Sequence, residues 1–246
     1  MPRFFVEQDR VLDGSISIIG EDAHHIARSL RMAVGEEITV CDTSGREYIC
    51  SIASFDEDRE VIAKIVSSAE SVNEPRLFIR LFQALPKGDK LDTIIQKAVE
   101  CGASEIIPFQ SERCVVKIKD AAEERKNERR RRIATEAAKQ CGRSLVPEVR
   151  AAVSFESALT LAAESDLFLF CYEGEGTVPL GKILRAKECL SGSVSVMIGS
   201  EGGFSDAEAE LAKEKGATMT GLGKRILRTE TASGFVLACL VMQSEL

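Results

Sequence analysis

No stretch of this chain approaches the ~20 uninterrupted apolar residues that a membrane-spanning helix needs, and its first thirty residues hold no long apolar run. The sequence therefore predicts neither a membrane span nor a secretory leader, and a soluble protein of the cytoplasm. Histidine is almost missing: His24 and His25 stand side by side, and there are no others. The eight cysteines (positions 41, 50, 101, 114, 141, 171, 189 and 239) are scattered, and no two have CxxC spacing. Zinc ligation needs clustered thiolates and imidazoles, so this pattern gives no support for a metal site. Reduced, mostly buried thiols are the expectation. There is no internal repeat and no low-complexity segment.

What is present is ordinary globular material. The 246 residues are 44% hydrophobic and 29% charged, enough for one large domain or two smaller ones, either with its own core. The net charge of −7 argues weakly against a nucleic-acid partner, but it is unevenly spread. Residues 1–72 carry −7, residues 73–150 carry +5 and residues 151–246 carry −5. A basic middle between acidic flanks can still present a local phosphate-binding surface, although basic stretches are more often solvated helix faces.

Two patterns of secondary structure follow one another. Residues 3–6, 15–19, 37–42, 47–54 and 60–66 read as short strands, separated by turn signals such as Asp13-Gly14 and Ser44-Gly45. One helix near 22–31 interrupts them. This suggests a small β-rich domain of barrel type over residues 1–70. Residues 67–75 (SSAESVNEP) are polar, lack periodicity and end in proline, which places a domain boundary there. From Arg76 strands alternate with helices. Residues 77–85 form a mostly apolar strand, and Leu91, Ile94, Ile95, Ala98 and Val99 then repeat at helical spacing up to Gly102. Residues 105–109 are the next strand. Asp120 and Glu123 resemble a capping box opening a long helix that ends at Gly142. Residues 166–172 and 194–198 look like buried parallel strands. Ser205 and Glu208 form another capping box, for a helix ending at Gly216, and residues 229–242 make a final packed helix. The alternation over 74–246 predicts an α/β domain, a parallel sheet with helices on both faces.

Two segments could carry chemistry. Residues 198–205 (IGSEGGFS) follow a buried strand and precede a capped helix, the place where open α/β sheets bind ligands. Gly199, Gly202 and Gly203 permit tight turning and close backbone approach. The segment lacks the GK[ST] ending of a phosphate loop and is not GxGxxG, and Glu201 would repel phosphate. On spacing alone a plain glycine-rich turn fits as well. Residues 221–232 (GLGKRILRTETA) join two glycines to Lys224, Arg225 and Arg228, which suits a nucleotide-like ligand or an RNA phosphate. A threonine-capped strand-to-helix connection fits equally.

Together these two segments resemble the signature of the RsmE-type family, the uridine methyltransferases of ribosomal small-subunit RNA, within the SPOUT class of trefoil-knot methyltransferases. MPRFFV at the start, His24-His25 followed by SLRM, GEEITVCDTSG, LFQALPKGDKLDTIIQKAVECGASEIIPFQSERCVV and EAAKQCGRSLVPEV agree with the family in the expected order. Ser200 stands where the family usually has proline.

The resemblance implies a PUA-like RNA-binding β-barrel over 1–70, then a SPOUT methyltransferase domain over 74–246 with a C-terminal knot, in a homodimer. It implies S-adenosylmethionine as cofactor, held by Phe170, Cys171, Tyr172 and Glu173, by Ile198, Gly199, Ser200, Glu201, Gly202 and Gly203, and by Leu222, Gly223, Arg225, Ile226 and Leu227 with Thr231 and Ala232. It implies methylation of ring nitrogen 3 of a uridine in 16S rRNA of the small subunit. That nitrogen must shed its proton, and the charge developing on the uracil oxygens needs a cation. Arg228 is the first candidate for that task; Glu201 would order the ligand or accept a proton. The sulfonium supplies the electrophile, so no metal is called for. RNA contacts are expected from Arg3, His24, Arg28 and Arg31 and from Lys87, Lys90, Gln96, Lys97, Arg113 and Arg143. Residues 129–132 read instead as a solvated helix face, with Glu128 and Arg132 paired. The competing readings are methylation of a different RNA, and a non-catalytic RNA-binding or ribosome-assembly protein that keeps the fold.

Overall fold

The computed structural model describes residues 1–56, 59–118, 120–186 and 191–245, with residues 120–122 given by backbone alone. Cys189 and the Asp120 side chain, one half of an expected capping box, lie outside what is described. The chain divides into two units, Met1–Glu74 with Ala138–Val146, and Pro75–Ala137 with Pro147–Leu246.

In the first unit, β1 (Arg3–Val6), β2 (Val11–Leu12), β3 (Ser15–Ile19), β4 (Glu37–Asp42), β5 (Arg46–Asp56) and β6 (Glu60–Glu70) form a curled sheet in the order β1-β4-β5-β6-β3-β2. The β1–β4 pair is parallel and the others antiparallel. Alternation sends Phe4, Ile16, Ile18, Ile38, Val40, Ile52 and Val61 into one core. β6 outruns its expected end, because Ser67–Ala69 keep backbone pairing with β5 although their side chains are exposed. Backbone bonding is blind to polarity there.

The helix expected over 22–31 is shorter and less regular. α1 (Gly20–His24) passes into a π-type turn, His25–Ser29, where the Leu30 N–H donates to the His25 carbonyl at 2.9 Å. Arg31, at φ +53°, lies beyond it. Residues 138–146 belong to this unit through side-chain bonds. Lys139 pairs with Asp22 at 2.8 Å and Arg143 with Glu74 at 2.7 Å, and the Ser144 hydroxyl bonds Glu47 and Ser71.

The second unit holds an all-parallel sheet of β7 (Phe78–Ala84), β8 (Glu105–Gln110), β9 (Glu148–Val149), β10 (Val153–Ser154), β11 (Leu167–Cys171), β12 (Val178–Pro179), β13 (Ser193–Ile198) and β14 (Thr218–Gly221). The order is β10-β8-β7-β13-β11-β14-β12, and β9 also pairs with β8. α2 (Lys90–Glu100) buries the five apolar residues expected of it, and Gly102 closes it at φ +82°. Further helices are α3 (Asp120–Cys141), α4 (Phe155–Ala162), α5 (Leu180–Arg185), α6 (Asp206–Glu214) and α7 (Thr229–Glu245). Ser205 and Glu208 cap α6 reciprocally, as the sequence pattern predicts. β12, β14, α4 and α5 escape sequence reading because they are short and weakly periodic.

On α3 the arginine run is not uniformly solvated. Arg130 is buried and pairs with Glu123 at 2.5 Å, while Arg129 reaches Asp92 on α2 at 2.5 Å. The expected Glu128–Arg132 pair is not formed among the described residues.

Candidate active site

Central strands of a parallel sheet are buried on both faces, so their carboxyl-end loops are where polar chemistry can gather. Here the loops after β7, β11, β13 and β14 supply it. After β13, the chain turns at Ser200–Gly203: the Gly203 N–H donates to the Ser200 carbonyl at 2.9 Å, and Gly203 takes φ +63°. A Cβ on Gly199 would stand 3.1 Å from the Gly203 Cα, and one on Gly202 3.0 Å from the Arg113 Cβ. A side chain at either position would therefore be crowded and would push its neighbours by a few tenths of an ångström, a closeness that the plain-turn reading does not demand.

This loop is tied to its neighbours at both ends. The Gly199 carbonyl accepts from the Thr229 hydroxyl at 2.7 Å, at the start of α7. Glu201 accepts from the Lys87 N–H at 3.2 Å and from Lys90 Nζ at 2.7 Å. Burial by itself would raise the Glu201 pKa; the Lys90 hydrogen bond, with the backbone donors, outweighs it and holds the carboxyl below the usual range. Glu201 is thus a carboxylate already engaged by Lys87 and Lys90. Lys90 also stands 3.8 Å from Glu230, one of whose oxygens is buried without a hydrogen bond among the described residues.

The β11 end contributes Cys171, whose thiol burial pushes up to about 12, and Tyr172. The Tyr172 N–H bonds the Thr220 carbonyl at 3.0 Å and its hydroxyl donates to Asp206 at 2.7 Å. That bond, then burial, raises the phenol's pKa. Phe170 turns away into an aromatic cluster, 4.2 Å from Phe204, and leaves only backbone to a ligand. After β14, Gly221 packs so closely that a Cβ would stand 3.0 Å from the Thr177 hydroxyl, and Gly223 takes φ +113°. The backbone N–H groups of residues 223–227 have no hydrogen-bond partner among the described residues. Arg225, Ile226 and Arg228 are exposed. The Arg228 carbonyl accepts from the Thr231 and Ala232 N–H groups, which fixes the residue at the head of α7. The Glu201 hydrogen bond raises the Lys90 pKa, and Arg228 lies close enough to oppose that shift.

With three glycine-bearing loops meeting at one sheet edge, comparison with known proteins becomes decisive. A model described as "RNA methyltransferase domain" matches residues 73–241, and one described as "RNA methyltransferase PUA domain" matches residues 18–66. The ribosomal RNA small subunit methyltransferase E of Bacillus subtilis is 36% identical over 100% of this chain and 98% of its own. The chain belongs to the ribosomal RNA small subunit methyltransferase E family.

Solved structures agree. The family member from Neisseria gonorrhoeae, bound to S-adenosyl methionine, is 29% identical with TM-score 0.86, covering 99% of this chain and 98% of that one. A Legionella pneumophila protein in complex with the bound cofactor SAM is 30% identical with TM-score 0.87, covering 98% and 97%. The PUA-like unit and the parallel α/β unit are thus the family's architecture.

Two residues expected at RNA have other work. Arg3 pairs with Glu47 at 3.0 Å and donates to Cys41 Sγ and the Arg143 carbonyl. Arg143, only 5% exposed, is held by Glu74. Arg3 is half-buried and Arg143 buried, and each already pairs with a carboxylate, which leaves less of either guanidinium to offer to phosphate. Lys97 pairs with Glu100 on its own helix, and Arg113 donates to the Gly202 carbonyl at 3.1 Å. His24, His25, Arg28, Arg31, Lys87 and Gln96 are exposed. Sequence reading missed Gln83 and Thr229, whose only signal is a polar residue in an apolar strand and one threonine among several.

Proposed function

We propose that this protein transfers the methyl group of S-adenosylmethionine to ring nitrogen 3 of a uridine in 16S rRNA of the small ribosomal subunit. The observation that carries the reading is the meeting of the loops after β11, β13 and β14 at one carboxyl edge. Gly199 and Gly221 sit where a Cβ would be crowded, and the 223–227 backbone amides have no partner among the described residues. A bent nucleoside suits that cradle, since amides can read an adenine edge where side chains are absent. The two relatives solved with this cofactor support the assignment. So do the cofactor-site residues expected from sequence, Ile198 to Gly203 and Leu222 to Leu227, which lie in these loops.

Bound there, the cofactor supplies an electrophilic methyl carbon. The protein must orient the uracil and stabilise the charge that grows on its oxygens as nitrogen 3 loses its proton. Arg228 is suited to this: it is exposed, anchored through its carbonyl, and has no ion pair among the described residues. Glu201, held ionised by Lys90, keeps the loop in place. RNA phosphates are met by Lys87, by Arg28 and Arg31 beside His24, and by Lys224 and Arg225, with an unstacked base offered to the site. The family's knot and homodimer belong to this reading. α7 presents Phe235 (43% exposed) and Met242 (57%) at i, i+7 spacing, an apolar face that a second copy of the chain would cover.

Labelled methyl transfer to unmodified small subunits and to naked 16S rRNA, with nucleoside mass spectrometry, tests the proposal. 3-Methyluridine is the expected product. Folded protein that methylates neither substrate, or makes another nucleoside, would overturn it.

A further inference from the structure

Gln83 interrupts an apolar strand and is fully buried. Burying an amide is costly unless its groups are bonded, and here only one end is. Gln83 Nε2 donates to Thr229 Oγ1 at 2.8 Å and to the Ala84 carbonyl at 3.0 Å, and lies 3.5 Å from the Gly199 carbonyl. Its Oε1 finds no donor among the described residues. A leucine or methionine would fill the same space without an orphaned acceptor, so packing does not account for glutamine. The amide nitrogen does. Its two hydrogens go to Thr229 Oγ1 and to the Ala84 carbonyl, so Gln83 orients the Thr229 hydroxyl, which in turn donates to the Gly199 carbonyl at 2.7 Å.

A pinned carbonyl has a consequence one residue on. The peptide is planar and trans, so fixing the Gly199 C=O toward the Thr229 hydroxyl sends the Ser200 N–H the opposite way. Ser200 then faces Gly203 in the isolated bridge that closes the turn. Glycine at 199 has few intrinsic restraints, so without this bond its peptide would be free to rotate.

We infer that Gln83 is a positioning residue of the methyltransferase: through Thr229 it locks the Gly199 carbonyl, and so sets the 199–203 loop and the start of α7 in the arrangement that receives S-adenosylmethionine. The inference rests on the cofactor reading above. Gln83 does not touch the cofactor; it acts through Thr229 and Gly199.

The test uses the full chain as wild type, Gln83→Met, Thr229→Val and the double variant. Cofactor affinity is measured by calorimetry, and amide hydrogen exchange of residues 200–203 is followed without cofactor. Each single change is expected to weaken binding ~10-fold, the worth of one buried hydrogen bond. The double variant should fall well short of the product of the two, because both act on one carbonyl. Exchange at the Gly203 amide should rise in each, with β7 and β13 amides unchanged. Folded Gln83→Met with wild-type affinity and wild-type loop exchange would overturn the inference, as would full additivity. Should Gln83→Met fail to fold, Gln83→Leu and Thr229→Val carry the same readouts. If wild type itself does not bind S-adenosylmethionine, the cofactor reading fails, and exchange at Gly203 still decides whether Gln83 sets the loop.

Discussion

At the scale of single residues, charge and burial decide which groups can act. Glu201 has its pKa held down by Lys90, so its contribution to loop order is complete at neutral pH. It is lost only as acidification passes through a folded value that lies below the ordinary carboxylate one. Cofactor affinity measured against pH should therefore stay flat into mildly acid solution and then fall, while Glu201→Gln should bind weakly throughout. An affinity that drops near neutrality would contradict the Lys90 pairing. Thiol reactivity separates in the same manner. Cys41 and Cys50 are pushed up to about 11 and Cys171 to about 12, all by burial first, whereas Cys141 is exposed. Alkylation followed by mass spectrometry should mark Cys141 before these three. Composition announced few histidines and scattered thiols, but no residue count tells which arginine is buried. Arg3, Arg143 and Arg228 look alike in sequence; among the described residues only the first two pair with a carboxylate, brought from 44 and 69 residues away.

At the scale of elements, local rules were legible wherever they were satisfied locally. Ser205 and Glu208 are three residues apart and complete their capping box within one helical turn, so sequence suffices to find it. Ser205→Ala should cost ~1 kcal/mol, seen as a shift of the denaturant midpoint at constant slope. α2 was equally readable, because its apolar spacing repeats over three turns. The helix after β3 was not, since its π-type turn at His25–Ser29, which places Ile26 in the core of the first unit, departs from regular helical spacing. Gly203 is the element-scale control on the site. Its φ of +63° disfavours any side chain, so Gly203→Ala should cost ~1 kcal/mol or more and weaken cofactor binding beyond that loss of stability.

For the whole molecule, the segment 138–146 matters most. It begins with the last turn of α3, whose earlier residues are in the second unit, yet it belongs to the first, where the buried Arg143 pairs with Glu74. Breaking this pair leaves the half-buried Glu74 carboxylate without its cation, so Arg143→Ala should lower stability by on the order of 2 kcal/mol. A normally stable Arg143→Ala protein with weakened RNA binding would restore the RNA-contact reading. Assembly is tested by Phe235→Asp on the exposed face of α7: sedimentation should show a shift from dimer toward monomer. An unchanged distribution would place any dimer contact elsewhere.

The sequence by itself determined the two successive patterns, five of the six strands of the first unit to within a few residues, the alternating α/β order of the second, and the two glycine-rich loops. These depend on periodicity and backbone freedom, which neighbouring residues settle. The tertiary structure alone decided which loops meet, that 138–146 returns to the first unit, and that Gln83 orients Thr229 on the Gly199 carbonyl. Those facts depend on strands far apart in sequence lying side by side, β7 beside β13. The free energy that selects such a pairing comes from burying both faces of the sheet at once, a property no short stretch of chain possesses.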